Sequence, residues 1–579
     1  MYNSLSDLQK KIVFDMDGKS VVRACPGSGK THSISAKFAH IYQNWKSRHS
    51  GIAVISFTNV AWKEIEKKIN ANFGVKTPIE YPHFLGTIDS FINKYIFLPF
   101  GHHIMGCSVR PTLVGEPHGN WTSGKYEKDY NKYFDKTSFN INDELVPTTN
   151  MQQFHFKWKK KDGSLSGHVK HVEQVKKKYW LMGYATQDDA NYISLKLLER
   201  YPSIAKSIVY RFPQFIIDEA QDTSEIQMKI IDILLSNGLE NIMLVGDPDQ
   251  AIFEWNDARP ELFIQKFNEW EENSLILNEN WRSSAKICNF TYSLSSLENP
   301  SIAVNDDVKD INIDPIIQIY DENSLNKIID YFLELCKMHH IEINEENVAV
   351  IYRSKSIYHQ IMGESYVQSL DAPWLTGHMV ARELALGKYI YDNIDPREGF
   401  KIIEKALYKI FFGTDYCSQS NLEELTEKIG FTKYRKRIIN IISILPNTNC
   451  SVSDWIAQTI NTFKDKRFKT TLKINKDKGN ILLDTLFNPF HNVKKLNFRT
   501  GTVHTTKGET FEAVLLLLKQ RGATGSFYKR LLNHGLRTTD SEELRIVYVG
   551  MTRPRRLLVL GVPNEEDKEA WIKRMQTNP

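Results

Sequence analysis

Cysteine is scarce in this sequence, and none of it is spaced for a metal site or a disulfide framework. The six cysteines lie singly along 579 residues, with no CxxC pair. This argues against a cysteine-ligated zinc site and a disulfide scaffold, and it favours a reducing compartment. Two His-His pairs, at 102–103 and 339–340, lack partner ligands at metal spacing, so we interpret them as surface residues.

Long apolar runs are equally absent. No stretch approaches the roughly 20 consecutive apolar residues that a membrane-spanning helix needs. The N-terminus lacks the basic and then apolar pattern of a signal peptide. We therefore expect a cytoplasmic protein with no membrane partner.

What is present is an ordinary globular composition in a long chain. Hydrophobic residues make up 41% of the sequence and charged residues 25%, and the formal net charge is +5. A chain of 579 residues is too long for one hydrophobic core, so we expect several domains. The small net charge excludes no class of partner.

Short apolar runs alternate with helical patterns, which predicts parallel α/β sheets. The runs form two groups, and each group is interrupted: by a polar, lysine-rich stretch over 98–189 and by a charged, helical stretch over 378–495. We therefore predict two α/β cores, each carrying an insertion. The predicted strands are 52–57, 215–218, 241–246, 275–277, 348–352, 514–518 and 557–562.

A glycine-rich segment near the start is typical of a phosphate-binding loop. Residues 24–31 read Ala-Cys-Pro-Gly-Ser-Gly-Lys-Thr, after an apolar pair and before an amphipathic segment. In such a loop, backbone N–H groups and a helix N-terminus surround the phosphates. Lys30 would contact the β- and γ-phosphates, and the Thr31 hydroxyl would bind Mg²⁺. Ala24 replaces the first glycine of the strict pattern, which weakens the motif taken alone.

A pair of acids after an apolar run predicts the other half of a nucleoside triphosphate site. Residues 215–217 are Phe-Ile-Ile, and Asp218 and Glu219 follow where parallel sheets place their ligands. Asp218 would share Mg²⁺ with Thr31, and Glu219 would act as general base toward the attacking water. For two adjacent acids in isolation, a solvated turn is the plainer interpretation.

A lysine-rich stretch points to nucleic acid. Eight lysines lie from Lys157 to Lys178 against two acids, with Trp158, Tyr179 and Trp180 among or beside them. Lysines suit phosphates and aromatic rings suit bases. A solvated loop is an equally good interpretation of this stretch alone.

Further motifs occur in an order that resembles the UvrD, Rep and PcrA branch of superfamily 1 helicases. Residues 245–255 read Val-Gly-Asp-Pro-Asp-Gln-Ala-Ile-Phe-Glu-Trp directly after a predicted strand. The other matching segments are 5–9 (Leu-Ser-Asp-Leu-Gln), 57–59 (Phe-Thr-Asn), 86–91 (Gly-Thr-Ile-Asp-Ser-Phe), 278–283 (Asn-Glu-Asn-Trp-Arg-Ser), 501–508 (Gly-Thr-Val-His-Thr-Thr-Lys-Gly) and 543–553 (Glu-Leu-Arg-Ile-Val-Tyr-Val-Gly-Met-Thr-Arg). These motifs span nearly the whole chain, so it is identified as a member of this family.

The resemblance implies a P-loop fold of two RecA-like parallel-sheet cores, each with an inserted, mainly helical subdomain. The implied limits are 1–97 and 190–285 for the first core, 98–189 for a basic, DNA-contacting insertion, 286–377 and 496–579 for the second core, and 378–495 for a regulatory insertion.

The resemblance also implies ATP and Mg²⁺ as ligands and gives roles to individual residues. Gln9 would read adenine through its amide, and Trp281 would stack on the base. Arg282 and Arg553 would spread phosphate charge in the transition state, with Gln250 sensing the γ-phosphate. The implied catalytic residues are Lys30, Glu219, Gln250, Arg282 and Arg553; the nucleotide-binding residues are Gln9, Pro26, Gly27, Ser28, Gly29, Lys30, Thr31 and Trp281; the metal ligands are Thr31 and Asp218; the DNA-binding residues are Phe57, Thr58, Asn59, Thr87, Phe253, Trp255, His504 and Thr506.

Three positions depart from the family pattern. Asp89 stands where the family usually has His, and a carboxylate would repel DNA phosphate, which puts that motif's contact in question. Asn256 follows Trp255 where Arg is common, and residues 507–512 read Lys-Gly-Glu-Thr-Phe-Glu where many members have Lys-Gly-Leu-Glu-Phe.

The implied activity is ATP-driven movement along single-stranded DNA, 3′ to 5′ by resemblance, with DNA as the partner in single strands and at duplex junctions or ends. Phe253 and Trp255 would stack on successive bases. The compact insertions leave a second hypothesis open, namely a UvrD-like ATPase or nucleotide-sensing subunit that works with a separate nuclease in antiphage defence, similar to the GajB subunit of the Gabija system. A free-standing repair helicase is the other enzymatic hypothesis. A binding module with a dead ATPase site is disfavoured, because all the implied catalytic residues are present.

Overall fold

Two large, fully parallel β-sheets organise the protein. The computed structural model describes residues 2–115, 118, 130–252, 258–321, 324–362, 373–375, 378–414, 417, 419–487, 496–519 and 527–576. One sheet has six strands and the other has five, and every strand pair in both is parallel. Buried hydrophobic clusters lie on both faces of each sheet. The predicted α/β fold with two parallel-sheet cores is confirmed.

The first sheet is built from the N-terminal half of the chain. Its strands, in spatial order, are Ser274–Leu277, Lys19–Ala24, Asn241–Gly246, Gln214–Ile217, Ile52–Ser56 and Phe84–Thr87. The helices around it are Asp7–Phe14, Lys30–Gln43, Asn59–Phe73, Ile88–Ile92, Pro202–Arg211, Glu225–Ser236 and Pro260–Glu269. Because the strands are parallel, the phosphate-loop motif and the acid pair leave the sheet at the same carboxyl edge.

The second sheet is built from two separated segments of the C-terminal half. Its strands, in spatial order, are Ile316–Ile319, Pro554–Val562, Phe511–Leu517, Val348–Tyr352 and Arg499–Thr502. The helices around it are Ala285–Tyr292, Leu325–Met338, Lys355–Met362, Phe527–Asn533, Glu542–Met551 and Glu565–Gln576. A short strand pair, Glu279–Asn280 with Ile302–Ala303, lies in the stretch between the two sheets.

All seven predicted strands are present, together with strand Lys19–Ala24 before the phosphate loop, but the other three strands of the two large sheets were missed. The missed strands are Phe84–Thr87, Ile316–Ile319 and Arg499–Thr502, and each occupies an edge of its sheet. Phe84–Thr87 and Arg499–Thr502 contain glycine and polar residues and so do not form apolar runs, whereas Ile316–Ile319 consists of three isoleucines and one glutamine.

The first insertion combines two long helices, the second of which continues past residue 189, with short strand pairs. Its helices are Leu98–Phe100, His102–Met105, Gly167–Leu181 and Gln187–Arg200, and its strand pairs are Thr112–Leu113 with Tyr184–Ala185 and Thr137–Phe139 with Leu145–Pro147. Aromatic residues fill its own small core, including Tyr133, Phe134, Trp158 and Trp180.

The second insertion is helical throughout its described residues and has a separate core around the fully buried Trp455. Its helices are Val380–Asn393, Pro396–Phe412, Gln419–Ile429, Phe431–Ile444, Val452–Phe463, Lys466–Thr471 and Leu483–Phe487. Across the described parts of the whole chain, every helix is too short or too polar to cross a lipid bilayer.

Candidate active site

The phosphate-loop segment connects a buried strand to a helix, as its sequence predicts. Strand Lys19–Ala24 ends in the loop, and helix Lys30–Gln43 begins after Gly29. Gly27 and Gly29 both have left-handed backbone angles, with φ of 74° and 80°. A Cβ on Gly27 would lie 2.6 Å from Asn280 Oδ1 and 2.7 Å from Arg282 Cβ. No other residue type fits this position, because both the backbone angle and the space require glycine.

The loop has the properties of an anion site. Ser28 Oγ is buried and has no hydrogen-bond partner among the described residues, while Pro26 is buried beside it. Lys30 and Thr31 are the first two residues of the helix, so their N–H groups are free of intrahelical bonds. An orphaned hydroxyl, open N–H groups and the positive end of a helix together fit a polyphosphate.

Asp218 and Glu219 lie at the carboxyl edge of the same sheet, across from the loop. Lys30 Nζ is 3.4 Å from Glu219 Oε1. Burial and the charge of Glu219 raise the pKa of Asp218. Burial opposes ionisation of Glu219 as well, but Lys30 beside it lowers the pKa of Glu219 below its ordinary value. With Thr31, the oxygen of Asp218 supplies the hard donors that Mg²⁺ prefers when phosphate oxygens complete its shell.

Glu219 has an uncommon backbone. Its φ of 53° and ψ of 38° lie in the left-handed region, which costs an ordinary residue about 1–3 kcal/mol. The turn continues directly into the short helical segment Ala220–Asp222. The strained position aims the carboxylate toward Lys30, so the acid pair is not a solvated turn.

Lys30 is surrounded by negative charge. Burial by itself would lower its pKa, but the nearby carboxylates, led by Glu219 and Asp247, raise it overall. Burial and Asp249 raise the pKa of Asp247 to about 7. The centre therefore concentrates carboxylates around the Lys30 ammonium group, an arrangement suited to a ligand that brings its own cation.

Gln221 joins the two acidic loops, a role that the motif alone did not reveal. Its Nε2 donates to Glu219 Oε2 at 2.6 Å, and its Oε1 accepts from the backbone N of Asp247 at 3.0 Å. A Cβ on Gly246 would lie 2.5 Å from Gln221 Oε1. One amide thus fixes the carboxylate of the predicted base relative to the next strand.

The segment Asn280–Ser283 packs directly on the phosphate loop. Asn280 is buried, and its Oδ1 accepts from the backbone N of Arg282 at 2.8 Å and of Ser283 at 2.9 Å. The backbone N of Trp281 donates to Gly27 O at 2.9 Å, and the Trp281 ring is 38% exposed. The ring is therefore accessible beside the loop, as adenine stacking requires. Asn280 was in a quoted motif without an assigned role.

Two arginines from different parts of the chain meet at this edge. Arg282 Nη1 donates to Thr552 O at 3.0 Å, and Arg553 Nη2 donates to Gln250 Oε1 at 2.8 Å. Burial lowers the pKa of Arg282 to about 10, and burial followed by the charge of Arg282 lowers the pKa of Arg553 to about 9. Both guanidinium groups remain charged at neutral pH, and each could contact an anion in the cleft.

Four consecutive residues after the Gly-Asp-Pro turn bind the C-terminal half of the chain. Asp249 Oδ1 accepts from Thr538 Oγ1 at 2.7 Å, and Gln250 accepts from Arg553. Ala251 O accepts from Arg545 Nε at 2.6 Å, and the backbone of Ile252 bonds the ring of His504. Residues 249–252, which we name the clamped loop, therefore connect the nucleotide edge of one core to the other core.

A charged pair makes a further contact between the cores. Lys507 Nζ lies 2.8 Å from Asp222 Oδ2, and the two side chains are 14% and 1% exposed. Burial raises the pKa of Asp222 to about 6, while Lys507 opposes the shift. The pair was not assigned a role from sequence, although Lys507 lies in the quoted segment 501–508.

Gln9 is placed differently from the adenine-reading role implied by resemblance. Its Nε2 donates to Ser28 O at 3.3 Å, and its Oε1 accepts from the backbone N of Ser6 at 3.2 Å in a capping box. The side chain is 2% exposed. In this arrangement Gln9 supports the phosphate loop, and its amide is already engaged at both ends.

The predicted DNA residues of the first core lie along the same carboxyl edge. Thr58 Oγ1 accepts from the backbone N of Ala61 at 3.2 Å, and Thr87 Oγ1 accepts from that of Ser90 at 3.1 Å. Each threonine therefore caps the helix after its strand. Phe57 is half-buried and Asn59 is exposed, so both are near the surface where a strand of DNA could lie.

Asp89 is not presented to a phosphate. Its Oδ1 accepts from Asn191 Nδ2 at 3.2 Å and from Gln227 Nε2 at 2.9 Å. Burial raises the pKa of Asp89, with these two amides opposing the shift. The carboxylate that stands in place of the family's usual histidine thus joins the Thr87 motif to two neighbouring helices.

One predicted DNA-binding residue of the second core, Thr506, lies away from the surface. Thr506 is fully buried, and its hydroxyl donates to Thr502 O at 3.2 Å and Val503 O at 3.3 Å. His504 is half-buried; burial and then Arg353 lower its pKa. Phe253 and Trp255, the predicted base-stacking pair, lie outside the described residues.

The lysine-rich stretch of the first insertion is only partly available to nucleic acid. Trp158 and Trp180 are 5% and 7% exposed within the insertion's core, so their predicted contact with bases is wrong. Lys176 is fully buried and pairs with Asp189 Oδ1 at 2.7 Å. The exposed lysines are 157, 159, 160, 161, 170, 177 and 178. A basic surface remains, without the aromatic stacking.

The comparisons agree with this arrangement. Residues 5–271 match the family described as the UvrD/REP helicase N-terminal domain. The putative ATP-dependent DNA helicase YjcD of Bacillus subtilis is 22% identical over 97% of this chain and 79% of its own length. The probable DNA helicase II homolog of Mycoplasma capricolum is 25% identical over 50% of this chain, and the chain covers 40% of that protein.

A shorter match concerns the exonuclease/helicase subunit RexA of Streptococcus pneumoniae, which is 36% identical over 18% of this chain and 9% of its own length. The fold, the ordered motifs and these matches agree with one another. Residues 5–271 belong to the UvrD/REP helicase N-terminal domain family.

Proposed function

We propose that this chain is an ATP-driven motor that moves along single-stranded DNA in the 3′ to 5′ direction and separates duplexes. The observation that carries the proposal is the approach of Arg553 to Gln250, because it brings a guanidinium of one core to the nucleotide edge of the other. An arginine supplied from outside the phosphate site can contribute about 10³ to 10⁵ in rate. Hydrolysis would then require the two cores to be in contact.

In this proposal the phosphate loop, Lys30 and the helix N-terminus bind the triphosphate, and Trp281 stacks on the base. Glu219 accepts the proton of the attacking water, while Arg282 and Arg553 stabilise the charge that develops on the γ-phosphate. Thr31 and Asp218 would hold Mg²⁺, which neutralises phosphate charge when bound. The clamped loop, residues 249–252, links this chemistry to the predicted base-stacking residues that follow it.

The domain limits and the cytoplasmic location predicted from sequence are part of the same proposal. The separate cores of the insertions support limits near 98–189 and 378–495. The exposed lysines of the first insertion, together with Thr58 and Thr87, would contact the sugar-phosphate backbone without reading sequence.

The test is an unwinding assay with matched tailed duplexes. The purified chain, with ATP and Mg²⁺, is expected to separate a duplex with a 3′ single-stranded tail and to leave a 5′-tailed duplex intact. Lys30→Ala should abolish both hydrolysis and unwinding. Unwinding of the 5′-tailed duplex alone would contradict the direction, and DNA-independent hydrolysis would contradict the motor.

A second candidate function is the nucleotide-hydrolysing subunit of a complex with a separate nuclease, as in Gabija-like antiphage defence. The streptococcal relative, whose name includes an exonuclease activity, supports this alternative. It is favoured if the chain alone hydrolyses ATP on DNA but never separates a duplex, and if adding the nuclease from a neighbouring gene restores activity.

A further inference from the structure

The second insertion carries an open groove on its surface. The groove has a volume of about 720 Å³ and lies between helices Pro396–Phe412, Gln419–Ile429 and Phe431–Ile444. It is distant in sequence from every residue assigned above to nucleotide or DNA. Its lining includes Phe400, Leu422, Phe431, Tyr434 and Ile439.

One wall of the groove is an apolar stripe with a cation in its middle. Phe431, Arg435 and Ile439 are spaced by four residues along one helix, so they lie on the same face. Phe431 is 63% exposed and Ile439 is 46% exposed. Side chains of this size are left in water where a partner covers them more often than by chance.

Arg435 is fixed between two rings. Its guanidinium lies 4.9 Å from the centre of the Phe400 ring and 5.5 Å from that of Phe431. Stacking on the two rings keeps the planar guanidinium group oriented, while its N–H groups remain available to an anionic partner. Aromatic residues and arginine are enriched among the interface residues that contribute most of the binding free energy.

The charge around the groove is basic on two of its helices and acidic on the third, Gln419–Ile429. Helix Phe431–Ile444 contains Lys433, Arg435, Lys436 and Arg437, all exposed, and no acidic residue. Arg397 and Lys401 line the opposite wall. The lining also contains two acids: Glu404, which is engaged by the Tyr434 hydroxyl, and the exposed Glu427. The groove is therefore an apolar channel with three basic residues and one exposed acid in its lining.

We propose that this groove docks an acidic amphipathic helix of a partner protein. Apolar side chains of the partner would fill the space between Phe400, Phe431 and Ile439, and its carboxylates would meet Arg435 and the surrounding lysines. A duplex would use the cations but would leave the exposed apolar side chains in water, so the apolar stripe favours a protein. The docking requires neither ATP nor DNA and stands apart from the motor activity.

The test uses the full chain and a fluorescent helical peptide of leucine and glutamate, with the leucines on one face. We expect saturable binding in the absence of ATP and DNA, weakened at least ~10-fold by Phe431→Ser with Ile439→Ser. Ile444→Ser is the matched control, because Ile444 is 52% exposed on the same helix but does not line the groove. It should bind like the unmodified chain. Unchanged far-ultraviolet circular dichroism and thermal midpoints would show that the variants are folded.

Four outcomes would overturn the proposal. One is equal binding of a scrambled peptide with the same composition, since charge alone would then explain the interaction. Another is absence of peptide binding, or binding that survives the double substitution. A third is loss of duplex affinity in the double variant while the peptide does not bind, which would assign the groove to DNA. The last is a concentration-dependent dimer that the double substitution dissociates, which would assign it to a second copy of this chain.

Discussion

The two parallel sheets turn opposite edges toward the candidate active site. The first sheet presents the carboxyl ends of its strands, from which the phosphate loop and the acid pair emerge. The second sheet contributes Arg553, which precedes strand Pro554–Val562 and therefore lies at the amino edge. The carboxyl-edge groups are positioned by turns of one core, whereas Arg553 reaches them only through contact between cores. Under the proposed function, the comparison separates nucleotide binding, which one core would perform, from hydrolysis, which would require both.

Of the substitutions proposed, removal of Arg553 should have the largest effect on ATP hydrolysis. Arg553→Ala is expected to lower kcat for ATP hydrolysis by about 10³-fold or more, with a small effect on nucleotide affinity, because the group acts on charge that develops in the transition state. Arg553→Lys keeps the positive charge but loses the planar guanidinium group with its paired N–H donors, and it should recover only part of the hydrolysis rate. Steady-state kinetics on single-stranded DNA measures both.

Arg556→Ala is the matched control for that experiment, since this neighbouring guanidinium donates to His339 O on the second core. It should leave kcat unchanged. If Arg553→Ala also leaves kcat unchanged, the first core is sufficient for hydrolysis and the distinction between the two edges fails.

Removing the predicted base should have the next largest effect. Glu219→Gln is expected to lower kcat by about 10²- to 10⁴-fold while nucleotide still binds, because only proton transfer is lost. Lys30→Ala should instead weaken nucleotide binding. Fluorescent-nucleotide titration and single-turnover hydrolysis separate these results. Glu225→Gln, an exposed acid six residues later, is the control; a similar loss there would show that the effect is not specific to the site.

A smaller effect is expected at the carboxyl edge farther from the phosphate loop. Asp89→Ala leaves the amides of Asn191 and Gln227 without their acceptor, which should lower the free energy of unfolding by about 1–3 kcal/mol. Because Asp89 orders the segment after Thr87, DNA affinity and DNA stimulation should fall while DNA-free hydrolysis is unchanged. Asp89→Asn keeps an acceptor oxygen and should restore DNA affinity. Equal loss of basal hydrolysis would indicate a general structural defect.

The smallest effect is expected at the amino edge of the first sheet, which has no catalytic group among the described residues. His83 Nδ1 accepts from the backbone N of Ile52 at 3.1 Å, and burial followed by Arg211 lowers the pKa of His83 to about 4. The unfolded chain binds the proton near pH 6.5, so this contribution to stability is complete above that pH and is lost as the pH falls toward 4.

His83→Gln should therefore reduce the dependence of the urea midpoint on pH between 6.5 and 4 and leave hydrolysis at neutral pH intact. An unaltered pH dependence would contradict the assignment of this titration to His83. A loss of hydrolysis would show that the amino edge of the first sheet also serves the active site.

Much of the fold follows from the sequence because buried parallel strands are continuous apolar runs. Ile52–Ser56 and Val348–Tyr352 have every residue buried, and both were predicted. Arg499–Thr502 was not predicted. This edge strand is held by backbone pairing with Val348–Tyr352, and its sequence has no apolar pattern.

The site residues divide in a similar way. Gly27, Lys30 and Asp218 belong to local loops whose chemistry can be interpreted from neighbours in sequence. The bridging amide of Gln221 and the pairing of Lys507 with Asp222 depend on residues 26 and 285 positions away, so no local pattern indicates them. The same limit applies to Trp158 and Trp180, because composition does not distinguish an aromatic core from an aromatic surface.

The left-handed turn at Glu219 implies a conflict between stability and activity at one position. Glycine would relax this backbone at no steric cost, and asparagine would tolerate it better than glutamate. Either replacement removes the carboxylate that Gln221 and Lys30 hold in place. A glutamate at this position therefore lowers the stability of the turn in exchange for a carboxylate beside Lys30, which is the trade expected at an active site.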